Sequence, residues 1–445
     1  MRLIGIIREQ WIRKCFPDLE RLYSDGPTPA TIRRIQLERF NDAWRGISKD
    51  SPFYAALKNR GRLPDRFENW DEFSSAMPVM DRSAFKCNRA RISLIGAQPD
   101  YWRTTGGSTA EPLQMPAWRN EDRHTVGNTW FARSWFGANA ADRLFLLWGH
   151  SHLLGKGLRG RVNATKRRLK DSCIGYLRFS AYDLGEEKLR EAGQKILQLR
   201  PGYVLGYATA LHRLAHFNRD RAPEFRKLNL KVAIATGESF HSPDSAKLIS
   251  EVLGCPVAME YGSVETGTIA HQRPSGEFQV FWGSYYLEGI PSREFPGTLE
   301  VVITALYPRL TPLIRYRIGD LVSGGSGALG VSERFDRVIG RANDGIVVGT
   351  DGFVHSEAFT HVMRDIDEVH TFQVVQGENR EITINYTSGE KLSLDTTRLI
   401  HQRLFKIDRR LNSVRINRVT EIEVTIAGKS KRIVSCVRNQ VDDAS

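Results

Sequence analysis

Apolar positions recur along this chain in three regimes. Between 31 and 47, TIRRIQLERFNDAWRGI places them at helical spacing, and SPFYAALKNRGRLP then closes a further helix at Gly61, with Pro64 beyond it. From 143 the period changes. RLFLLWG is a short unbroken apolar run of the kind a buried strand makes. EEKLREAGQKILQLRPGYVLGY predicts a helix, a break at Pro201 and Gly202, and a second strand. NLKVAIATG predicts a third strand ending in a glycine turn, and Ser242 before Pro243 opens a helix over SPDSAKLISEVLG. Strands alternating with helices predict parallel β/α units. Past about 280 the pattern changes again. TLEVVITALY, PLIRYRIGDLV and FDRVIGR read as short strands punctuated by Gly and Pro, and the last hundred residues mix VHTFQVVQ, REITINYTS, a helix around 395–410 and EIEVTIAG. The predicted class is α/β: a large N-terminal domain of several subdomains built from β/α units, residues 1–340, then a small α+β domain, residues 341–445.

Composition bounds this picture without changing it. At 445 residues the chain is too long for one ordinary core, and 41% hydrophobic residues are enough to fill more than one. No run approaches the ~18 apolar residues of a membrane span. The opening MRLIGIIREQWIRK is too short in its apolar part, and too interrupted by Arg8, Glu9 and Arg13, for a secretory signal; it reads as part of the folded chain or as an amphipathic helix. The five cysteines (Cys15, Cys87, Cys173, Cys255, Cys436) are odd in number, far apart and contain no CxxC pair. That argues for a reducing compartment, the cytoplasm, and against a zinc site or a disulfide framework.

Charge points outward. The net charge is +13, and 156–170 (KGLRGRVNATKRRLK) holds seven basic residues and no acid. The segment reads either as a solvated face or as a docking patch for an acidic carrier protein, CoA phosphates or an anionic membrane leaflet. Nucleic acid is disfavoured because no aromatics are interleaved with the basic residues.

Candidate chemistry sits in glycine-containing segments. RTTGGSTAEP (103–112) combines a Gly-rich turn, whose N–H groups can converge on an anion, with hydroxyls from Thr104, Thr105, Ser108 and Thr109; a plain structural turn reads equally well. In MEYGSVETGTIA (259–270), Tyr261 is suited to stacking a base and Glu265 to ligating a cation, against a β-turn with an exposed glutamate. In PLIRYRIGDLV, Arg315 and Arg317 alternate along a strand, and Asp320 is suited either to ribose hydroxyls or to an Asx turn. RVIGRANDG carries Arg341, and AGKSKRIV carries Lys429 and Lys431, each of which could equally be a solvated surface charge.

The order and spacing of these motifs resemble the adenylate-forming acyl ligases, the acyl-CoA synthetase superfamily, and within it the phenylacetate–CoA ligase family. The stretch 51–86 resembles the helical opening of that family's members, FSAYDL (179–184), PGYVLGYATAL (201–211) and HTFQVVQ (370–376) together resemble a branch associated with capsular or surface polysaccharide genes, and the likeness covers roughly 40–435. The resemblance implies two steps. A carboxylate attacks the α-phosphate of ATP to give acyl-AMP and pyrophosphate; then the thiol of CoA, or another nucleophile such as a carrier-protein thiol or an amine or hydroxyl, takes the acyl group. It implies that Thr105, Gly106, Gly107, Ser108 and Thr109 hold phosphates, that Gly237, Glu238 and Ser239 form the adenine-side turn, and that Tyr261 with Gly262 and Ser263 flanks adenine. Asp320 would bind ribose, Arg341 the ribose–phosphate region, and Glu265 Mg²⁺. Lys429 would reach the carboxylate and α-phosphate, with Lys431 the alternative, and Asn343 would be the hinge of a mobile C-terminal lid. Trp148, His150 and Tyr207 would line the acyl pocket, with His152 a further candidate. Four positions depart from the family pattern: Ala110 where glycine is usual, Glu111 where lysine is common, Val264 where a hydroxyl residue precedes the glutamate, and Asn343 where Asp or Lys is usual. His271 follows the Tyr–Glu motif where relatives carry cysteines, and HQRPSG has none, so no zinc is expected.

Overall fold

A computed structural model describes residues 2–14, 16–23, 27–104, 113–148, 157–181, 186–240, 244–292, 297–324, 333–341, 345–349, 352–363, 366, 368–422 and 432–436. They divide into two compact units. The first comprises Met1–Asp142, Cys173–Gly175 and Ala258–Val338; the second comprises Arg143–Ser172, Tyr176–Val257 and Ile339–Ser445.

In the first unit the predicted 31–47 helix is the centre of Pro29–Asp50. Thr28 caps it, its hydroxyl accepting from the Thr31 N–H at 3.3 Å, and Pro29 fits the first turn because its missing N–H would be unpaired there. Ile32, Gln36, Phe40, Trp44 and Ile47 recur on the buried face. Phe40, Trp44, Phe67, Trp70 and Phe73 then pack ring against ring, and Trp70 stacks on Tyr286. The helix Pro52–Asn59 ends where Gly61 takes a φ of 68°.

Two antiparallel assemblies complete this unit. Tyr285–Pro291, Thr298–Ala305 and Tyr316–Ser323 form a meander. Val257–Ser263, Gly267–Gln272, Phe278–Val280 and Arg334–Phe335 form the other. The expected strand over 312–322 starts late. Arg315 stands before it in the left-handed region, at φ 44°, and so does not alternate with Arg317 along the strand. Its guanidinium donates to both oxygens of Glu288, at 3.0 and 2.9 Å, and to the carbonyls of Ser74 and Met77. These bonds offset the strain of a non-glycine residue at positive φ and make Arg315 a structural residue.

In the second unit, Leu144–Trp148, Tyr176–Ser180, Tyr203–Tyr207 and Ala233–Thr236 form a parallel sheet with Leu144–Trp148 between Tyr176–Ser180 and Tyr203–Tyr207, and Ala233–Thr236 beyond the latter. Helices Glu186–Leu199, Ala208–Phe217 and Ser245–Leu253 follow the strands as the alternation predicts. The helix of SPDSAKLISEVLG takes Asp244 as its N-cap residue; Ser242 lies outside the described residues. Towards the C-terminus, Thr371–Gln376 and Ile382–Thr387 pair antiparallel, and Ile433–Ser435 and Arg415–Arg418 add parallel edges. Ile346, Val374, Ile384, Ile400, Leu404 and Leu411 form their core.

A histidine cluster also lies in the second unit. His216, on Ala208–Phe217, packs its ring 4.7 Å from that of His370, and His212 lies one turn away. Burial holds His216 down at about 4 and His212 at about 3, and the nearby Arg213 and Arg219 push the same way while Glu186 opposes them at His216. A folded value below the unfolded ~6.5 means that the neutral ring's contribution is intact above that pH and is lost as pH falls through the folded value. The thermal midpoint is therefore expected to fall as pH drops from about 6.5 towards about 4, and His216→Asn is expected to flatten that fall in a pH series of calorimetric scans.

Candidate active site

The Tyr–Glu segment folds as a tight hairpin between Val257–Ser263 and Gly267–Gln272, with a register shift at Tyr261/Gly262. Only glycine fits at 262: a Cβ there would lie 2.1 Å from the Gly267 carbonyl oxygen. Gly267 has φ 76°, and a Cβ on it would meet Thr125 at 2.9 Å. The turn is closed by Thr266, whose hydroxyl accepts from the Ser263 N–H at 3.2 Å and donates to the Gly267 carbonyl at 2.9 Å. Thr266 is buried and occupied in this way, so of the two hydroxyls flanking Val264 only that of Ser263 retains exposure; Val264 itself is 47% exposed.

Glu265 is 5% exposed. Its Oε1 accepts from Arg82 Nη1 and from the Tyr316 hydroxyl, each at 3.4 Å, which is long for a hydrogen bond. Its backbone is held far more firmly than its carboxylate. The Glu265 carbonyl accepts from Arg309 Nη2 at 2.7 Å and from Arg103 Nη1 at 3.4 Å, and the Thr266 carbonyl accepts from the Tyr285 hydroxyl. Arg309 is fully buried and also donates to the Tyr307 hydroxyl (2.9 Å) and the Thr311 carbonyl (3.3 Å).

The charge of these two guanidiniums is met by Glu121 and, at Arg103, also by Asp122, whose Oδ1 accepts from Nη2 at 3.0 Å. Glu121 Oε2 stands 3.1 Å from Arg103 and 3.8 Å from Arg309, while its Oε1 accepts from the N–H groups of Leu310 (2.9 Å) and Trp118 (3.0 Å). Burial alone would make Arg103 easier to deprotonate; Glu121 and Tyr101 outweigh it and hold the guanidinium above its ordinary range. Arg82, Arg309 and Glu121 do not stand out in sequence, because none falls in a glycine-marked motif; Arg103 and Tyr316 lie inside such motifs, but only their remote contacts with Glu265 mark them out.

Tyr261 and Asp320 meet directly. The Tyr261 hydroxyl donates to Asp320 Oδ2 at 3.0 Å, and the Phe335 ring packs edge-on to Tyr261 at 5.9 Å. The Tyr261 ring is 6% exposed, so in this conformation its accessible chemistry lies in the hydroxyl–carboxylate pair. His271, near the same hairpin, is fully buried with Nδ1 2.8 Å from the Gln272 carbonyl, and burial lowers its pKa.

In the second unit, Trp148, Tyr207 and the Gly237–Ser239 segment all stand at or just beyond the carboxyl ends of the parallel strands, the edge at which α/β sheets bind ligands. The rings of Trp148 and Tyr207 are 4.3 Å apart, Tyr207 buried and Trp148 half-buried. Gly237 turns the chain with φ 80°, and Glu238 Oε1 accepts from the Thr209 N–H at 2.8 Å, so a carboxylate caps the helix Ala208–Phe217. Ser239 donates to the Ile339 carbonyl at 3.4 Å, and its own carbonyl accepts from Arg432 Nη2 at 3.3 Å. Arg341 is exposed at the end of Arg337–Arg341.

Several sequence candidates lie outside the described residues: Thr105, Gly106, Gly107, Ser108, Thr109, Ala110, Glu111, His150, His152, Asn343, Lys429 and Lys431. The segment holding Thr105–Thr109 joins Tyr101–Thr104 to Gln114–Ala117, two antiparallel strands whose last register pair is Thr104 with Gln114.

Comparison with known proteins adds the following. No family model matches the chain. It is 24% identical over 390 residues to Protein CapK of Staphylococcus aureus, covering 85% of this chain and 82% of that protein. Among solved structures it is similar to 2-hydroxyisobutyryl-CoA ligase in the postadenylation state in complex with R3-HIB-AMP, with a TM-score of 0.70 at 15% identity over 93% of each chain. The anthranilate CoA ligase AuaEII in complex with anthranoyl-AMP gives 0.50 at 14% identity, over 74% of this chain and 65% of that one. The amide bond synthetase McbA from Marinactinospora thermotolerans gives 0.50 at 15% identity, over 92% and 94%. The fold is that of these adenylate-forming ligases, an α/β architecture with a large N-terminal and a small C-terminal part.

Proposed function

We propose that this chain activates a carboxylic acid with ATP, giving an acyl- or aryl-AMP and pyrophosphate, and passes the acyl group to CoA or another nucleophile. The observation that carries this reading is the pairing of Tyr261 with Asp320 beside a nearly buried Glu265 on a clamped hairpin, on the fold of ligases solved with acyl-AMP. Residues 1–340 act as the adenylation domain and 341–445 as a mobile lid hinged at Asn343.

Each residue answers a charge problem, since a carboxylate must approach a polyphosphate. The amides and hydroxyls of Thr105–Thr109 hold phosphate without a side-chain cation. Gly237, Glu238 and Ser239 form the adenine-side turn, and Tyr261 stacks on the adenine, with Gly262 and Ser263 beside it in sequence. Asp320, oriented by the Tyr261 hydroxyl, accepts from the ribose. Arg341 supports the ribose–phosphate region, and Lys429 neutralises the carboxylate and α-phosphate as they meet. Trp148, Tyr207 and His150 line the acid's pocket. Glu265 suits Mg²⁺, which takes one or two carboxylates and fills its shell with phosphates and water; the two long contacts on Oε1 leave the carboxylate able to accept a cation. Bound there, Mg²⁺ would screen the phosphate charge. The compartment is the cytoplasm, where ATP is available.

The test is carboxylate-dependent ATP–pyrophosphate exchange over a broad panel of acids. Lys429→Ala is expected to lower exchange on the order of 100-fold or more while ATP still binds in calorimetry, and Lys431→Ala to leave it near the wild-type rate. Wild-type exchange in Lys429→Ala would remove that residue from the chemistry.

A second reading changes the acceptor to an amine or hydroxyl, such as one on a sugar in surface polysaccharide synthesis, or to a carrier-protein thiol. The likeness to CapK and to an amide bond synthetase favours it. Turnover with CoA as sole acceptor rules against it. A third reading, a nucleotide-binding scaffold without catalysis, rests on Glu111, Asn343 and the apolar, exposed Val264. Calorimetry that shows ATP binding without release of AMP or pyrophosphate would select it.

A further inference from the structure

The helix Arg2–Arg13 is seated on the protein by one face only. Gly5 lies against Ala141, where a Cβ would come within 3.1 Å of the Ala141 Cα. Ile12 is buried, the Arg8 guanidinium lies 4.8 Å from the Trp130 ring centroid, and Glu9 accepts from the Ala140 N–H at 2.5 Å while pairing with Arg13. The opposite face carries Ile4, Ile7 and Trp11, one above another at i, i+3 and i+7, with Ile6 beside them. All four are between 46% and 57% exposed. A stripe of large apolar side chains held towards water on a helix already anchored by its other face marks an interaction surface.

The charge around the stripe narrows the partner. Residues 2–14 contain four basic residues and one acid, and that acid, Glu9, is engaged with Ala140 and Arg13; Arg13 and Lys14 are exposed beside the stripe. A bilayer needs no matching groove, and its anionic headgroups complement the exposed cations while its acyl boundary takes Ile and Trp.

We propose that the chain docks peripherally on an anionic lipid surface through the helix Arg2–Arg13, with Ile4, Ile7 and Trp11 entering the interface and Arg13 and Lys14 supplying charge. The test is flotation of the full chain with vesicles of phosphatidylcholine alone and with roughly one-third phosphatidylglycerol. Binding is expected only to the anionic vesicles and is expected to weaken as salt exceeds ~0.15 M. Ile4→Ser, Ile7→Ser and Trp11→Ser together are expected to lower partitioning on the order of 100-fold, and Arg13→Gln and Lys14→Gln about fivefold per charge, both with unchanged circular dichroism. Quenching of the wild type by brominated lipid, reduced in Trp11→Phe, gives a readout that does not depend on the triple variant folding. Failure to float with anionic vesicles, equal binding to neutral ones, or wild-type binding by the apolar variant would each overturn the proposal. So would a concentration-dependent dimer that the apolar variant dissolves without altering flotation, since the stripe's occupant would then be a second copy of the chain.

Discussion

Glu265→Gln is expected to lower ATP–pyrophosphate exchange about 100-fold or more while leaving the fold intact. The two halves of that expectation rest on different atoms. Glutamine still accepts from Arg82 and Tyr316 and leaves the backbone carbonyl in the grip of Arg309 and Arg103, so the hairpin keeps its shape. What disappears is the negative charge. Without it the Mg²⁺ affinity proposed for the site is expected to be lost, and Arg82 is left facing a neutral amide. Exchange measured as a function of Mg²⁺ should need much higher metal to recover, with the thermal midpoint little moved. Exchange at the wild-type rate across the Mg²⁺ series would show that Glu265 is not a metal ligand.

Glu121→Ala has the converse profile: its first effect is on stability. The carboxylate is 1% exposed, faces two guanidiniums that are themselves almost wholly buried, and accepts two backbone N–H groups. Removing one partner of a buried charge cluster costs about 3–5 kcal/mol; here Arg309 stays desolvated and uncompensated, while Arg103 keeps only the more exposed Asp122. For a unit of this size that lowers the thermal midpoint by roughly 10 °C. Activity should fall with it, since Arg103 and Arg309 hold the Glu265 carbonyl. Scanning calorimetry measures the first effect, and exchange below the unfolding range the second. A midpoint within a degree or so of wild type would mean that water enters the site and solvates the arginines.

Much of the fold was legible because local rules and the final structure agree. The 3.6-residue repeat of 31–47 became the buried face of Pro29–Asp50, and RLFLLWG became the Leu144–Trp148 strand. The glycine-marked motifs directed attention to Tyr261, Glu265 and Asp320. Their relation was not legible: Tyr261 and Asp320 are 59 positions apart, and only pairing through two separate antiparallel assemblies brings the hydroxyl to the carboxylate. The clamp was less visible still. Glu121 reads as an ordinary acid in the first turn of a helix, and its bond to Leu310 spans 189 positions. Arg315 read as a strand residue because alternation is a period-2 signal; a positive φ held by Glu288 and two carbonyls leaves no mark in that signal. At Val264 the departure was plain in sequence, but that Thr266 is committed to the turn, leaving Ser263 as the more exposed hydroxyl, required coordinates.

The hairpin from Gly262 to Gly267 also limits how this protein can diverge. A methyl group at either end collides with backbone or with Thr125, the Thr266 hydroxyl is spent on its neighbours, and the carbonyls of 265 and 266 are fastened from outside. Drift in this segment is left to Val264, whose side chain meets mostly solvent. Substitutions that reshape the surface without disturbing this hairpin must therefore fall elsewhere, at the carboxyl ends of the parallel strands and on the loops beyond them.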